Sequence, residues 1–376
     1  MKFFITFLLL IFTNLPVIAI DTKASEAIVY DYNTQEVIFE KEADKLIYPA
    51  SMTKIMTAYV VFDRINNTSL SIDDRCTVSP KAYRMGGSRS FLEINDKVSI
   101  SDLLRGIIIQ SGNDASVTIA ECLSGTENDF SKLMNWYANA LGLKNTHFIN
   151  ASGWPDDNHY STVRDLAILC YALIRDFPQL YTYFQEREFT YNSIRQTNRN
   201  RLLREVDGAD GLKTGYLKSS GWGIAASAFR EDRRIIVVLN GTNSSRTRLL
   251  ESEKLINWAF RETTQKTILE KGQIIKGVDI WLGSKPTINL IIGEDVITTL
   301  SFEQIKTLKS TIEYEKPISA PFKAGDHLGN MIIEISGKQN IEVPLVAEKN
   351  IDKSINPLFR LFAAIKYLIF GTSLDE

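Results

Sequence analysis

The sequence predicts an α/β (α+β) fold: an antiparallel sheet with flanking helices, then a small all-β domain, then a C-terminal amphipathic helix. Three observations lead there. After Pro49 and Ser51, the residues Ile55, Met56, Ala58, Tyr59, Val60, Val61 and Phe62 occupy nearly every face of a helix, and a helix apolar all round is a buried one. Trp222 to Phe229 and Arg234 to Asn240 read as two apolar strands joined closely enough to lie antiparallel. From Ile268 to Val346 the pattern changes to short alternating runs, with turn signals at Gly283-Ser284, Gly293-Glu294 and Gly337-Lys338, the spacing of a small all-β domain.

Bulk properties exclude more than they assign. A chain of 376 residues suggests two to three domains at roughly 150 residues each. Hydrophobic content of 44% and charged content of 23% are ordinary. The net charge of −2 and the lack of a basic block argue against a nucleic-acid partner. Cys76, Cys122 and Cys170 are too widely spaced for a disulfide framework or a zinc site. They read as buried thiols, with one disulfide and one spare cysteine as the other option. His147, His159 and His327 do not cluster, so neither a metal site nor a histidine base is expected, and no cofactor is implied.

Taken in order, Met1 to Ala19 has a positive start, an apolar core and the small-residue ending Val17-Ile18-Ala19, the form of a cleaved secretory signal. Export places the mature chain in the periplasm or on the outer face of the inner membrane. Ser25 to Lys41 predicts a β-hairpin around Asp31-Tyr32-Asn33-Thr34. The Ser51 helix follows, then strand material from Cys76 to Val98 around the loop Met85 to Ser90. A helix opening at Ser101 breaks at Gln110-Ser111-Gly112-Asn113-Asp114, and another runs from Ala115 to Leu123. Asp129 to Leu141 is a further helix. The loop Phe148 to Tyr160 leads to a capping box at Thr162-Val163-Arg164-Asp165 and a helix through Arg175. Phe184 to Arg204 predicts strand, turn and strand, with Asn198-Arg199-Asn200 near the turn. Asp210 to Tyr216 precedes the two apolar strands, and Leu249 to Phe260 closes with a helix that has Arg246 and Arg248 at its start. These divisions make 1–19 a signal peptide, 20–266 the main α/β domain, 267–350 a β-rich domain and 351–376 an anchor. On a helix from Ile355 to Phe370, Leu358, Leu361, Phe362, Ile365, Leu368 and Ile369 share one face. That sided, partly basic pattern suits a membrane surface and is too short and charged to span. Docking on the β domain is the alternative.

The chemistry sits in three short motifs. Ser51 and Lys54 are three apart, so both lie on one helical face. A serine hydroxyl needs a nearby base to take its proton. A lysine can be that base only when neutral, and burial or a second cation lowers its pKa toward that state. Free N–H groups at a helix N-terminus suit an oxyanion. Each motif has a plain reading. Ser-x-x-Lys is more often a capping serine with a snorkelling lysine. Ser111-Gly112-Asn113 is an ordinary helix cap, and Lys213 is a surface strand lysine. Their order changes the reading. Ser51-Met52-Thr53-Lys54, Ser111-Gly112-Asn113 and Lys213-Thr214-Gly215 reproduce the set of penicillin-recognising serine enzymes.

At these residues the chain resembles the low-molecular-mass penicillin-binding proteins, D-alanyl-D-alanine carboxypeptidases with a β-rich second domain and a C-terminal amphipathic anchor. The likeness covers nearly the whole mature chain. Ser111 to Ala115, Ala140 to Phe148 and Asp210 to Gly215 all read as family phrases. The resemblance implies a penicilloyl-serine transferase, β-lactamase-like domain: five antiparallel strands with helices on both sides. It implies a peptidoglycan pentapeptide ending in D-Ala-D-Ala as substrate, β-lactams as acylating ligands, and roles in wall biogenesis and cell shape. Ser51 would be the nucleophile, Lys54 the base and Ser111 the proton relay, assisted by Lys213. Asn113 would hold the substrate amide, and the N–H groups of Ser51 and Tyr216 would form the oxyanion hole. Thr214 with Arg248, and Arg199 beside them, would receive the terminal carboxylate.

Two departures stand out. Tyr216 follows Lys213-Thr214-Gly215 where many Gram-negative members have histidine, and the span from Arg199 to Lys213 is slightly short, which bears on Arg199's role. A secreted β-lactamase is an alternative, but the loop Phe148 to Tyr160 contains no glutamate to serve as a deacylating base. A low-turnover wall-binding or shape-maintenance protein is another, against which stand the intact Ser51, Lys54, Ser111 and Lys213.

Overall fold

The computed structural model describes residues 20–354 and, beyond them, 357–358, 361–362 and 365. The expected leader and most of the expected C-terminal helix, including Leu368 and Ile369, lie outside the described residues. β1 (Glu26–Asp31) and β2 (Glu36–Lys41) form the hairpin, paired antiparallel. A 3-10 turn, Ala50–Thr53, feeds α1 (Lys54–Asn67), in which every residue from Lys54 to Phe62 is buried.

Strands β3 (Arg75–Thr77) and β4 (Lys97–Ser99) form only a short pair. The segment between them, expected as strand, is α2 (Pro80–Tyr83) and a loop. Ser79 and Pro80 explain the helix: the serine hydroxyl accepts from the Ala82 N–H, and proline suits the first helical position. The Asp114 carboxylate accepts the N–H groups of Ser90 and Leu92, so that loop finds its partners in a side chain rather than a sheet.

α3 (Ile100–Arg105) continues as a π-helical segment, Gly106–Gln110, breaks at Ser111, and restarts as α4 (Asn113–Ser124). Then come α5 (Glu127–Ala140) and α6 (Val163–Asp176). The capping box expected at Thr162 is half made. Thr162 accepts from the Asp165 N–H, while the Asp165 carboxylate turns to the Asn145 N–H and the Thr146 hydroxyl.

β5 (Glu188–Tyr191) and β6 (Ile194–Thr197) form a hairpin whose turn is Asn192-Ser193, both at positive φ, as a two-residue hairpin turn requires. Asn198-Arg199-Asn200, expected near that turn, instead follows the second strand. The Asn198 and Asn200 side chains are buried and donate to the carbonyls of Glu186 and Gly211, which clamps the backbone on both sides of Arg199. After α7 (Leu202–Glu205), β7 (Ala209–Leu217), β8 (Gly221–Arg230), β9 (Arg233–Thr242) and α8 (Ser245–Glu262) complete this part.

The 5-stranded sheet runs β2-β1-β9-β8-β7, antiparallel throughout. Alternation along the strands gives it two apolar faces. Ala27, Val29, Ala226 and Val237 pack on Leu255, Ile256 and Ala259 of α8. Ile28, Ala225, Ile236 and Val238 join the core built around α1 and α6. β7 is one of the two edge strands of this sheet, and it borders the Ser51 turn.

From Thr263 the chain is β-rich: β10 (Thr263–Leu269), β11 (Ile274–Trp281), β12 (Thr287–Ile292), β13 (Val296–Ser301), α9 (Phe302–Thr307), β14 (Lys309–Tyr314), β15 (Ile318–Ser319), β16 (His327–Glu334) and β17 (Ile341–Ala347). β10 pairs with β13, and the rest form a 6-stranded sheet, β14-β16-β17-β12-β11-β15, over their own core. The junction with the first hairpin is polar. Asp31, fully buried, receives Arg233 at 2.8 Å, the Thr299 hydroxyl at 2.9 Å and Gln265 at 2.8 Å. Glu36 receives Lys338 at 3.0 Å and the Thr298 hydroxyl at 2.6 Å.

Cys76 and Cys122 form a disulfide that joins β3 to α4, with Cα atoms 5.6 Å apart. The buried-thiol reading therefore holds for Cys170 alone. The 46-residue separation left no spacing signal, because only the fold brings the two together. Among the described residues, no helix is long and apolar enough to cross a membrane.

Candidate active site

Ser51 lies in the 3-10 turn and Lys54 opens α1. The lysine is 0% exposed. Its Nζ lies 3.1 Å from Ser51 Oγ, 2.8 Å from Asn113 Oδ1 and 2.6 Å from the Ser152 carbonyl. Burial first, and the charge of Arg199 second, push the amine down to about 7. A neutral amine has two N–H groups and one lone pair. Asn113 and Ser152 accept the two hydrogens, so the lone pair is left for the Ser51 hydroxyl. The plain reading of a snorkelling lysine does not apply.

The break before α4 sets Asn113. Ser111 takes the left-handed conformation, with φ 67°, and the Asn113 N–H donates to the Ser88 carbonyl at 2.7 Å. The side-chain amide of Asn113 donates to the Gly86 carbonyl at 2.8 Å. Both ends of the side chain are thus in use. Ser111 is buried, and its hydroxyl makes no hydrogen bond to a described residue.

The loop Phe148 to Tyr160 delivers the Ser152 carbonyl. Asn150 Oδ1 accepts from the N–H groups of Gly153 and Trp154 at 2.8 and 2.9 Å, which closes the turn. Thr57 donates to the Ala151 carbonyl at 2.6 Å. A Cβ on Gly153 would sit 1.8 Å from the Ala50 carbonyl oxygen, so only glycine lets the loop press against the Ser51 turn. His159 fixes the far end. Its Nδ1 accepts from the Ile149 N–H at 3.1 Å, so its Nε2 carries the hydrogen and donates to Thr53 Oγ1 at 2.8 Å. Burial lowers this imidazole to about 4 and keeps it neutral.

On the opposite wall, β7 carries Lys213, Thr214, Gly215 and Tyr216. Lys213 is buried rather than a surface strand lysine. Burial and the charges of Lys54, Arg199 and Arg248 hold its amine well below the ordinary lysine range. A Cβ on Gly215 would come within 2.9 Å of the Pro49 carbonyl oxygen, so glycine lets the strand run beside Ser51. Tyr216, next along, is 49% exposed and its ring lies 4.1 Å from that of Trp222.

Arg248, in the first turn of α8, is only 8% exposed. No ion pair or side-chain hydrogen bond joins its guanidinium to a described residue. Its carbon lies 5.4 Å from the centre of the Trp222 ring. Burial, then Arg199 and Arg201, lower it to about 10. Arg199 is exposed and donates to Ser88 Oγ at 2.6 Å. Its charge bears on Lys54, Lys213 and Arg248 alike.

The sequence motifs therefore converge on one cleft between β7, the Ser51 turn and the break at Ser111. Sequence reasoning missed the Ser152 carbonyl, which carries no side-chain signal. It also missed Trp222 and the pair Thr53 and His159. His159 was set aside because the three histidines do not cluster.

Comparison with known proteins gives the same picture. The sequence pattern of the family described as D-alanyl-D-alanine carboxypeptidase matches residues 13–243, and that of the penicillin-binding protein 5 C-terminal domain matches 264–353. D-alanyl-D-alanine carboxypeptidase DacC of Escherichia coli (strain K12) is 39% identical over 334 residues, which is 87% of this chain and 84% of that protein. The crystal structure of the carboxypeptidase DacD from Francisella tularensis superposes with a TM-score of 0.80 at 29% identity, covering 89% of this chain and 95% of that one. Penicillin binding protein 5 from Haemophilus influenzae gives 0.75 at 34% identity, covering 90% and 100%. With the likeness running through both parts of the molecule, the chain belongs to the D-alanyl-D-alanine carboxypeptidase family.

Proposed function

We propose that this protein removes the terminal D-alanine from peptidoglycan pentapeptides ending in D-Ala-D-Ala, through an acyl-enzyme on Ser51, and that β-lactams acylate the same serine. The observation that carries this reading is Lys54: a buried amine, lowered to about 7 and 3.1 Å from Ser51 Oγ, with its two hydrogens already accepted. Lys54 takes the Ser51 proton as the oxygen attacks the penultimate D-alanine carbonyl. The N–H groups of Ser51 and Tyr216 hold the oxyanion. Ser111, assisted by Lys213, passes a proton to the departing amine of D-alanine. Lys54 then serves again as base when water opens the ester.

Arg248, Thr214 and Arg199 form the cationic end of the cleft that receives the terminal carboxylate. Asn113, which holds Lys54, reaches a substrate amide when its Nδ2 exchanges the Gly86 carbonyl for the peptide. The β-lactamase alternative is not favoured. The loop Phe148 to Tyr160 supplies a carbonyl to Lys54 and has no glutamate.

The clusters on the two faces of the 5-stranded sheet, and the separate cluster of the later strands, support a catalytic domain over 20–266 and a β-rich domain over 267–350. The leader at 1–19 and the Cys76–Cys122 disulfide support export to an oxidising compartment, with the protein on the outer face of the inner membrane. Three described residues of the expected apolar face, Leu361, Phe362 and Ile365, are 57%, 72% and 43% exposed. That exposure supports a membrane surface over docking on the β domain. The function is tested by D-alanine release from a pentapeptide. Release is expected from the wild type and not from Ser51→Ala, and an active alanine variant would remove Ser51 from the mechanism.

A further inference from the structure

We propose that Trp222 is a positioning residue for the carboxylate site: its indole face holds the Arg248 guanidinium in place while leaving the N–H donors open to substrate. This rests on the reading of Arg248 given above.

The cleft gathers four cationic side chains, Lys54, Lys213, Arg199 and Arg248; burial first, and the charge of Arg199 after it, lower the pKa values of the other three. Arg248 is an awkward charge to keep there. It is nearly buried, like charges face it, and no carboxylate pairs with it among the described residues. A buried charge ordinarily needs a partner. An aspartate or glutamate would supply one, but it would also occupy the planar fork that a substrate carboxylate has to meet. An aromatic face attracts a cation through its quadrupole without accepting those hydrogens in the plane of the fork. Trp222 is at the right place: its ring centre lies 5.4 Å from the Arg248 guanidinium carbon.

The indole is itself held. Trp222 is the cross-strand neighbour of Tyr216 on β7 and of Thr242 on β9. The Thr242 hydroxyl donates to its carbonyl at 2.9 Å, and its ring packs, tilted by 31°, against that of Tyr216 with centres 4.1 Å apart. One side chain therefore ties the strand beside Ser51 to the first turn of α8. It sets the distance between the carbonyl being attacked and the carboxylate being held.

The test is steady-state kinetics on a D-Ala-D-Ala peptide. Trp222→Leu is expected to lower kcat/KM about tenfold, the scale of a desolvated cation–π contact, chiefly through KM. Trp222→Phe keeps an aromatic face and is expected to recover most of that loss. In an Arg248→Ala background, Trp222→Leu is expected to change kcat/KM by less than about twofold, because its effect passes through the arginine. A Trp222→Leu variant within twofold of wild type, or losses that multiply in the double variant, would overturn the proposal. If the leucine variant does not fold, Trp222→Phe carries the same test: a smaller loss with Arg248 present and none without it, with a loss in both backgrounds counting against the proposal. The end-point stoichiometry of the benzylpenicillin adduct separates the two levels. A missing adduct on wild type refutes the serine reading, whereas a full adduct with unmoved KM refutes only the role of Trp222.

Discussion

At the residue scale the proposed chemistry turns on one proton of Lys54. Its pKa is lowered to about 7, so the neutral base fraction grows as pH rises through 7. Acylation by benzylpenicillin is therefore expected to rise along an acid limb near that value. Arg199 is the second cause of the lowering, so Arg199→Ala is expected to move the limb to higher pH. Stopped-flow acylation rates between pH 5 and 9 (about that range brackets the group) check both points, and an unmoved limb would mean that Arg199 does not tune the base. Tyr216 bears on the second half of the cycle. Its ring packs against that of Trp222, and on the proposed function it borders the path by which D-alanine would leave and water would enter. Hydrolysis of the acyl-enzyme is expected to limit turnover, with a pre-steady-state burst of D-alanine, and Tyr216→His is expected to speed deacylation more than acylation. Quench-flow traces without a burst would contradict this. Ser51, Lys54, Ser111, Asn113 and Lys213 were legible in the sequence because their side chains recur at motif spacing. The Ser152 carbonyl was not, since any residue has one, and Trp222 was not, since a tryptophan opening an apolar strand reads as core.

Among the elements, the loop Phe148 to Tyr160 has the most to do with the site and the least regular structure. His159 pins it to Thr53 beneath the Ser51 turn. Asp156, His147 and Lys54 are the charged or titratable groups that act on this imidazole. Its pKa is lowered from 6.5 to about 4, so the unfolded chain binds the extra proton first. The stabilising effect is complete above about 6.5 and is lost as pH falls toward 4, a change of roughly 3 kcal/mol by linkage. His159→Gln, which can still bridge but does not titrate, is expected to flatten the thermal midpoint against pH across that window. Equal slopes in the two proteins would show that His159 is not the group responsible. Regular elements were readable where one physical rule dominated: all-round apolarity for α1, alternation for the first hairpin, a threonine cap for α6. Within Cys76 to Val98 only the two ends pair as strands, less strand than expected, because the middle finds its partners in the Asp114 carboxylate and a serine-proline cap, neither of which shows as periodicity.

For the molecule as a whole, the junction around Asp31 fixes the β-rich part on the first hairpin, since Arg233, Gln265 and Thr299 all meet one buried carboxylate. Burying the exposed apolar face of the tail in a membrane would supply several kcal/mol at roughly 25 cal/mol per Å². Deleting Ile355 to Glu376 is expected to abolish flotation with anionic phospholipid vesicles and to leave D-alanine release intact. A truncated protein that still floats would place the contact elsewhere. The two-part architecture was visible in the change of periodicity after α8, but the disulfide and the Asp31 junction were not, because both join residues that only the finished fold brings together.

The central claim is that Ser51, activated by Lys54, becomes the acyl-enzyme. Intact mass after incubation with benzylpenicillin, followed by peptide mapping, tests it most directly. One penicilloyl group per chain, located on Ser51 and missing from both Ser51→Ala and Lys54→Ala, is the expected result. An adduct on another residue, or one that still forms on either variant at the wild-type rate, would contradict it.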